Sequence, residues 1–158
     1  MHQRLAPFLA RDLGLDEETI LRSEELSELI PLVRDRIRLL TDATPFVDWL
    51  FKQAADLQYD AQLLVDKKLT SAQTLQLLAA GSAMINEASE FSTKALETAF
   101  RAKSEELGIK VGPFLTAFRV AITGKTISPP LFESMMALGK VETLARLRRA
   151  VQKLQGGE

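Results

Sequence analysis

The part of this 158-residue chain best equipped for chemistry is the run Phe118-Arg119-Val120-Ala121-Ile122-Thr123-Gly124-Lys125-Thr126-Ile127-Ser128-Pro129-Pro130-Leu131-Phe132. The spacing predicts a helix that carries Arg119 in its last turns. It stops at Thr123-Gly124, because glycine accepts the left-handed geometry that follows a helix. Ser128-Pro129 is then expected to cap the next helix, whose N-terminus presents free backbone N–H groups close to two cations, Arg119 and Lys125. Helix dipole, guanidinium fork and small hydroxyls together make a seat for an anion or a base edge. An ordinary helical corner uses the same residue types, so the segment leaves both interpretations open.

Covalent and metal chemistry find little support elsewhere. There is no cysteine and one histidine, His2, beside the initiator; disulfides and thiolate sites are therefore excluded, and a reducing cytosol is the expected setting. The acidic pairs Glu17-Glu18, Glu24-Glu25 and Glu105-Glu106 are neighbours that point apart on a helix, not converging metal ligands. A serine or threonine nucleophile has no well-placed base, and neither phosphate-loop glycine pattern occurs. No catalytic residue and no metal site is expected. No apolar run approaches the roughly 20 residues of a membrane span, and the first residues lack a signal-peptide stretch. A cytoplasmic protein without membrane partners is expected.

Charge is distributed unevenly. The net is −1, but residues 1–80 hold nine Lys and Arg against thirteen Asp and Glu, whereas residues 110–155 hold eight cations and two anions. A basic segment is the footprint of a polyanionic partner, although cations in the last turns of a helix also answer its dipole.

The elements that must position these residues are all helical: apolar positions such as Ala72, Leu75, Leu78, Ala79 and Ala83 recur at spacings of three and four, and no segment alternates like a strand. About eight or nine helices are predicted. The first covers residues 3–13 and ends at Gly14, and Asp16 caps a short second. Ser23 caps a third that runs to about Leu40, bent at Pro31. Thr44-Pro45 opens a fourth, with Thr44 as cap, carrying Phe46, Trp49 and Leu50. Thr70 or Ser71 caps a long helix weakened in the middle by Gly81; another covers about 90–107 and ends at Gly108. Three further boundaries, at Gly112-Pro113, Ser128-Pro129 and Gly139, make the last third shorter helices. A subdomain boundary is expected within 108–112, giving helical subdomains 1–108 and 109–158. The polar end from Gln155 to Glu158 is expected to fray.

The order of these motifs resembles the signature near the C-terminus of bacterial glutamyl-tRNA synthetases, a class I aminoacyl-tRNA synthetase family. Leu107-Gly108-Ile109-Lys110-Val111-Gly112 corresponds to that family's Leu-Gly-(Ile or Val)-Lys-x-Gly. Phe118 to Gly124 corresponds to Leu-Arg-x-Ala-Leu-Thr-Gly, Ser128-Pro129-Pro130-Leu131-Phe132 to Ser-Pro-x-Leu-Phe, and Leu138-Gly139-Lys140 to Leu-Gly-Lys. Phe118 and Ile122 replace leucines. A weaker match, Leu32-Val33-Arg34-Asp35-Arg36, is similar to the family's Arg-x-Arg stretch.

The resemblance covers essentially the whole chain and implies an all-α, two-subdomain helical cage that grips the anticodon loop of glutamate tRNA. The family's His-x-Gly-His and Lys-x-Ser-Lys motifs are absent, which implies a fragment or stand-alone module without cofactors. ATP and glutamate would bind the catalytic domain of the same parent chain, a glutamate–tRNA ligase. Carried over by position, Arg36 and Arg119 would read anticodon bases, and Ser128, Pro129 and Leu131 would line the pocket around one base, with Arg34 and Thr123 as secondary candidates. Lys125, in the same corner, would meet a phosphate. Lys140, Arg146, Arg148, Arg149 and Lys153 would meet phosphates, which set position rather than sequence. The alternative is a helical protein-interaction domain docking through the acidic first half, which leaves the 119–132 segment without a reason.

Overall fold

Helix α1 (His2–Leu13) buries Leu5, Ala6, Leu9 and Ala10 along one stripe and ends where Gly14 turns to φ 66°. The computed structural model describes residues 1–156, so Gly157 and Glu158 of the expected frayed tail lie outside the described residues. Asp16 caps α2 (Glu17–Arg22) by accepting from the Thr19 N–H, and Ser23 caps α3 (Glu24–Val33) by accepting from the Leu26 N–H. These are the expected caps.

Helix α3 stops at Val33 instead of reaching Leu40. A 3₁₀ turn, Arg34–Arg36, follows, and Ile37 is extended. Ile37 and Leu40 pack on the α1 cluster, which takes the chain off the α3 axis. The fourth helix also differs: α4 is a single turn, Thr44–Val47, continued by a 3₁₀ turn, Asp48–Phe51. Thr44 is its first residue, not its cap, because its hydroxyl donates to Asp12 at 2.7 Å and ties the corner to α1.

Helix α5 (Ser71–Glu87) is capped by Thr70 in a reciprocal capping box with Gln73. It runs unbroken through Gly81, contrary to the expected weakening. A Cβ on Gly81 would stand 2.3 Å from the Phe118 ring, so the glycine is where the helix that carries Phe118 approaches α5. Helix α6 (Thr93–Glu106), capped by Ser92, ends at Leu107 with Gly108 at φ 66° behind it. Helix α7 (Val111–Thr123) ends at Gly124, φ 73°, and α8 (Leu131–Leu154) is interrupted at Gly139, φ 79°.

Two apolar clusters divide most of the core. One gathers α1, α3 and the corner 37–51. The other runs from Leu64 to Leu154, across 108–112, around Phe100, which meets Phe114, Phe118 and Phe132 edge-to-face with centroids 4.8 to 5.7 Å apart. Leu29, Trp49 and Leu57, packed against Ala137 and Leu138, join the two. The described residues contain no strand; the chain is all-α.

Candidate functional site

Two arginines from distant parts of the chain meet at one serine. Arg36, in the turn after α3, donates from Nη1 to the Ser128 carbonyl at 3.0 Å. Arg119, on α7, donates from Nη1 to Ser128 Oγ at 3.0 Å and to the Pro129 carbonyl at 3.3 Å. The Ser128 hydroxyl donates to the Pro129 carbonyl at 2.8 Å. It is therefore occupied within the loop and does not cap α8, whose N-cap Pro130 supplies no side-chain bond.

Neither arginine forms an ion pair among the described residues. Arg119 is half-buried; burial first and the Arg36 guanidinium second hold its pKa below the ordinary arginine value. It remains cationic at neutral pH, because a guanidinium starts from above about 12. Two like charges at one point favour a group rich in acceptors, either an anion or the edge of a base.

The corner beneath them is locked by Thr123, fully buried, whose hydroxyl donates to the Arg119 carbonyl at 2.8 Å and accepts from the Lys125 N–H at 3.2 Å. Thr123 therefore shapes the loop instead of facing a ligand. Ser128 and Leu131 are also buried, at 1% and 3% exposure, and Leu131 belongs to the main apolar cluster. The expected lining thus lies under the arginines, with Pro129 buried beside it. Arg34 is not drawn in: it is exposed and sits 3.6 Å from an even more exposed Asp35.

The basic residues expected to meet phosphates separate into different environments. Arg148 is exposed. Arg146 is not a surface cation: it is 1% exposed, and its guanidinium donates to the carbonyls of Ile122 at 2.5 Å, Trp49 at 3.0 Å and Lys52 at 2.6 Å and to Glu142 at 2.9 Å. The helix face that carries it turns inward, against the end of α7 and the 48–52 corner. Lys140 donates to the Asn86 and Ala88 carbonyls at the end of α5, and Lys125 reaches the Pro45 carbonyl and Asp48. Lys153 lies over the Tyr59 ring at 5.2 Å, and Arg149 is half-buried with its Nε unpartnered.

Sequence reasoning passed over Asp48, which anchors Lys125, and the buried function of Arg146. The i, i+4 spacing of Glu142 and Arg146 was the available signal for the latter. His2 donates from Nε2 to the Ile20 carbonyl at 2.8 Å. Among the described residues no cluster of potential metal ligands occurs, and no helix is long and apolar enough to cross a membrane.

A family model described as "Anticodon binding domain" matches residues 1–151. The chain belongs to that family. Relatives of this anticodon binding domain include a glutamate–tRNA ligase of Roseiflexus castenholzii (strain DSM 13941 / HLO8), 38% identical over 152 residues, covering 95% of this chain and 29% of the relative. Another is a glutamate–tRNA ligase of Chloroflexus aurantiacus (strain ATCC 29366 / DSM 635 / J-10-fl), 34% identical, with 97% and 31% covered. The chain thus spans under a third of the length of these relatives. The fold is also that of a solved glutamate tRNA ligase from Elizabethkingia meningosepticum CCUG26117, crystallised in complex with its amino acid. The TM-score is 0.74 at 20% identity, over 98% of this chain and 30% of that one.

Proposed function

We propose that this anticodon binding domain grips the anticodon loop of a glutamate tRNA, and that the ligase chemistry, with ATP and glutamate, belongs to a catalytic domain of the parent protein. The observation that carries it is the convergence of Arg36 and Arg119, neither in an ion pair among the described residues, on Ser128. Single-stranded loops splay their bases, so that side chains reach the Watson–Crick edges while apolar groups cover the ring faces. Two guanidiniums held at one loop offer such edges a set of fixed donors. Arg148 contributes phosphate contact without sequence preference.

Fluorescence titration with glutamate tRNA, its anticodon stem-loop and stem-loops with altered anticodons tests this. Arg119→Ala and Arg36→Ala are expected to cost about 1 to 3 kcal/mol, roughly five- to 150-fold, and to relax discrimination among anticodons. Circular dichroism melting of each variant separates lost contact from unfolding. Variants that still rank the anticodon series as the parent does would show that these arginines read no base.

A further inference from the structure

A groove runs between α3 and the first half of α8, and none of Arg36, Arg119 and Ser128 lines it. Helix α3 contributes Glu25, Glu28, Leu29 and Leu32, whose spacing of three and four residues makes one continuous face. Helix α8 contributes Glu133, Met136 and Ala137 at the same spacing. Two depressions, of about 390 and 160 Å³, meet at Ala137, and Leu50 and Phe51 border the larger one. The floor is apolar. Its outermost member, Leu32, is 42% exposed, although Leu26, Ile30 and Val33 of the same helix are buried.

The rim is acidic. Helix α3 carries three glutamates and no cation. Glu25 and Glu133 lie in the first turns of their helices, where the dipole favours them. Glu28, in the middle of α3, has no such reason, and neither it nor Glu133 forms an ion pair among the described residues. The cations that line the groove are engaged: Lys52 pairs with Asp48 at 3.0 Å, and Arg146 is buried against backbone carbonyls and Glu142.

We propose that this groove is a protein-docking site, and that its occupant is a basic amphipathic helix of a partner protein, with apolar side chains every three or four residues flanked by lysines or arginines. The proposal is independent of the anticodon-loop function. Shape is the first reason: two packed helices leave a furrow into which a third can lay an apolar stripe. From Glu25 to Leu32 the furrow runs about 10 Å, or two helical turns, and Met136 supplies an adaptable wall. Charge is the second. Carboxylates on both rims repel a phosphate chain and attract lysine and arginine.

The test is fluorescence anisotropy with a labelled 18-residue leucine/lysine amphipathic helix, its scrambled counterpart and a version with glutamates in place of the lysines. The chain should prefer the first over the scrambled peptide by at least about fivefold. Glu28→Lys/Glu133→Lys should weaken it by about five- to 30-fold and should turn the preference toward the glutamate peptide. Leu32→Asp should weaken it by about tenfold or more, as an apolar contact is lost. If the double variant melts early, Glu28→Lys alone, at an exposed position, carries the comparison. Equal binding of the ordered and scrambled peptides overturns the proposal, as does a charge reversal that leaves the preference unchanged. Sedimentation of the chain alone tests the other occupants: a dimer abolished by Leu32→Asp would give the groove to a second copy and overturn the partner assignment. A parent protein that excludes the peptide its isolated domain binds would give the groove to its own remainder, with the same consequence.

Discussion

Replacing Arg146 by alanine should unfold this domain more readily than any substitution of its other arginines. Its side chain is fully buried, and it satisfies three backbone carbonyls, those of Trp49, Lys52 and Ile122, besides pairing with Glu142 at 2.9 Å. Alanine leaves those carbonyls and the Glu142 carboxylate without their donor. Each orphaned group costs about 1 to 3 kcal/mol where water cannot replace the donor. Relaxation and water entry offset part of the sum, so the expected loss is about 3 to 5 kcal/mol, the range for breaking a buried ion pair. With a urea slope near 2 kcal/mol/M, the midpoint should fall by about 1.5 to 2.5 M. Arg146→Lys keeps the charge but cannot reach three carbonyls at once, and should recover only part of the loss. Arg148→Ala, on the exposed face of the same helix, sets the baseline and should stay within about 0.5 kcal/mol. Paired urea titrations followed by circular dichroism decide it. A midpoint for Arg146→Ala within error of Arg148→Ala would refute the hub.

Arg148→Ala is instead expected to lower the slope of log affinity against log salt by about 0.7 to 0.9, equally for every anticodon, as loss of one phosphate contact does; an unchanged slope means that it meets no phosphate. Gly81→Ala, which helix propensity alone favours by about 1 kcal/mol, should destabilise by about 1 to 3 kcal/mol, because the new methyl would meet the buried Phe118 ring at 2.3 Å. A raised melting temperature would show that α7 can withdraw at little cost. Burial pushes Tyr59 up to about 12, against the opposing charges of Arg149 and Arg146. Its stabilising contribution is therefore intact below pH 10 and is lost as pH climbs through about 12. As the chain's one tyrosine, it can be followed by tyrosinate absorbance, and titration at the ordinary value in the folded chain would contradict the burial.

Local chemistry carried much of the fold. Asp16, Ser23 and Thr70 cap helices with their own side chains, and Gly14, Gly108 and Gly124 turn left-handed at the ends of α1, α6 and α7. These signals are legible because a cap depends on residues within one turn of itself. The apolar stripe of α5 was legible only in part: Leu78 is buried as its spacing suggests, but Ala72, Ala79 and Ala83 are exposed, and Leu77, outside that pattern, turns inward. Arg36, Arg119 and Ser128 were also recognisable as a set through their resemblance to a family signature, although 83 residues separate the two arginines.

What the tertiary structure alone decided is which face of each element turns inward. Ser128 looks like a helix cap from its neighbours, yet Arg119 arrives from α7 and takes its oxygen. Gly81 looks like a weak point until Phe118 is seen to occupy the space beside it. Arg146 and Arg148 are two residues apart on one helix, so no local rule ranks them. A helix turns about 100° per residue, placing them on opposing faces, and packing against Trp49 and Ile122 buries one and leaves the other in water. Charge is a property of the residue, whereas its availability to a partner depends on the three carbonyls that the fold brings to Arg146 from segments 24, 94 and 97 residues away.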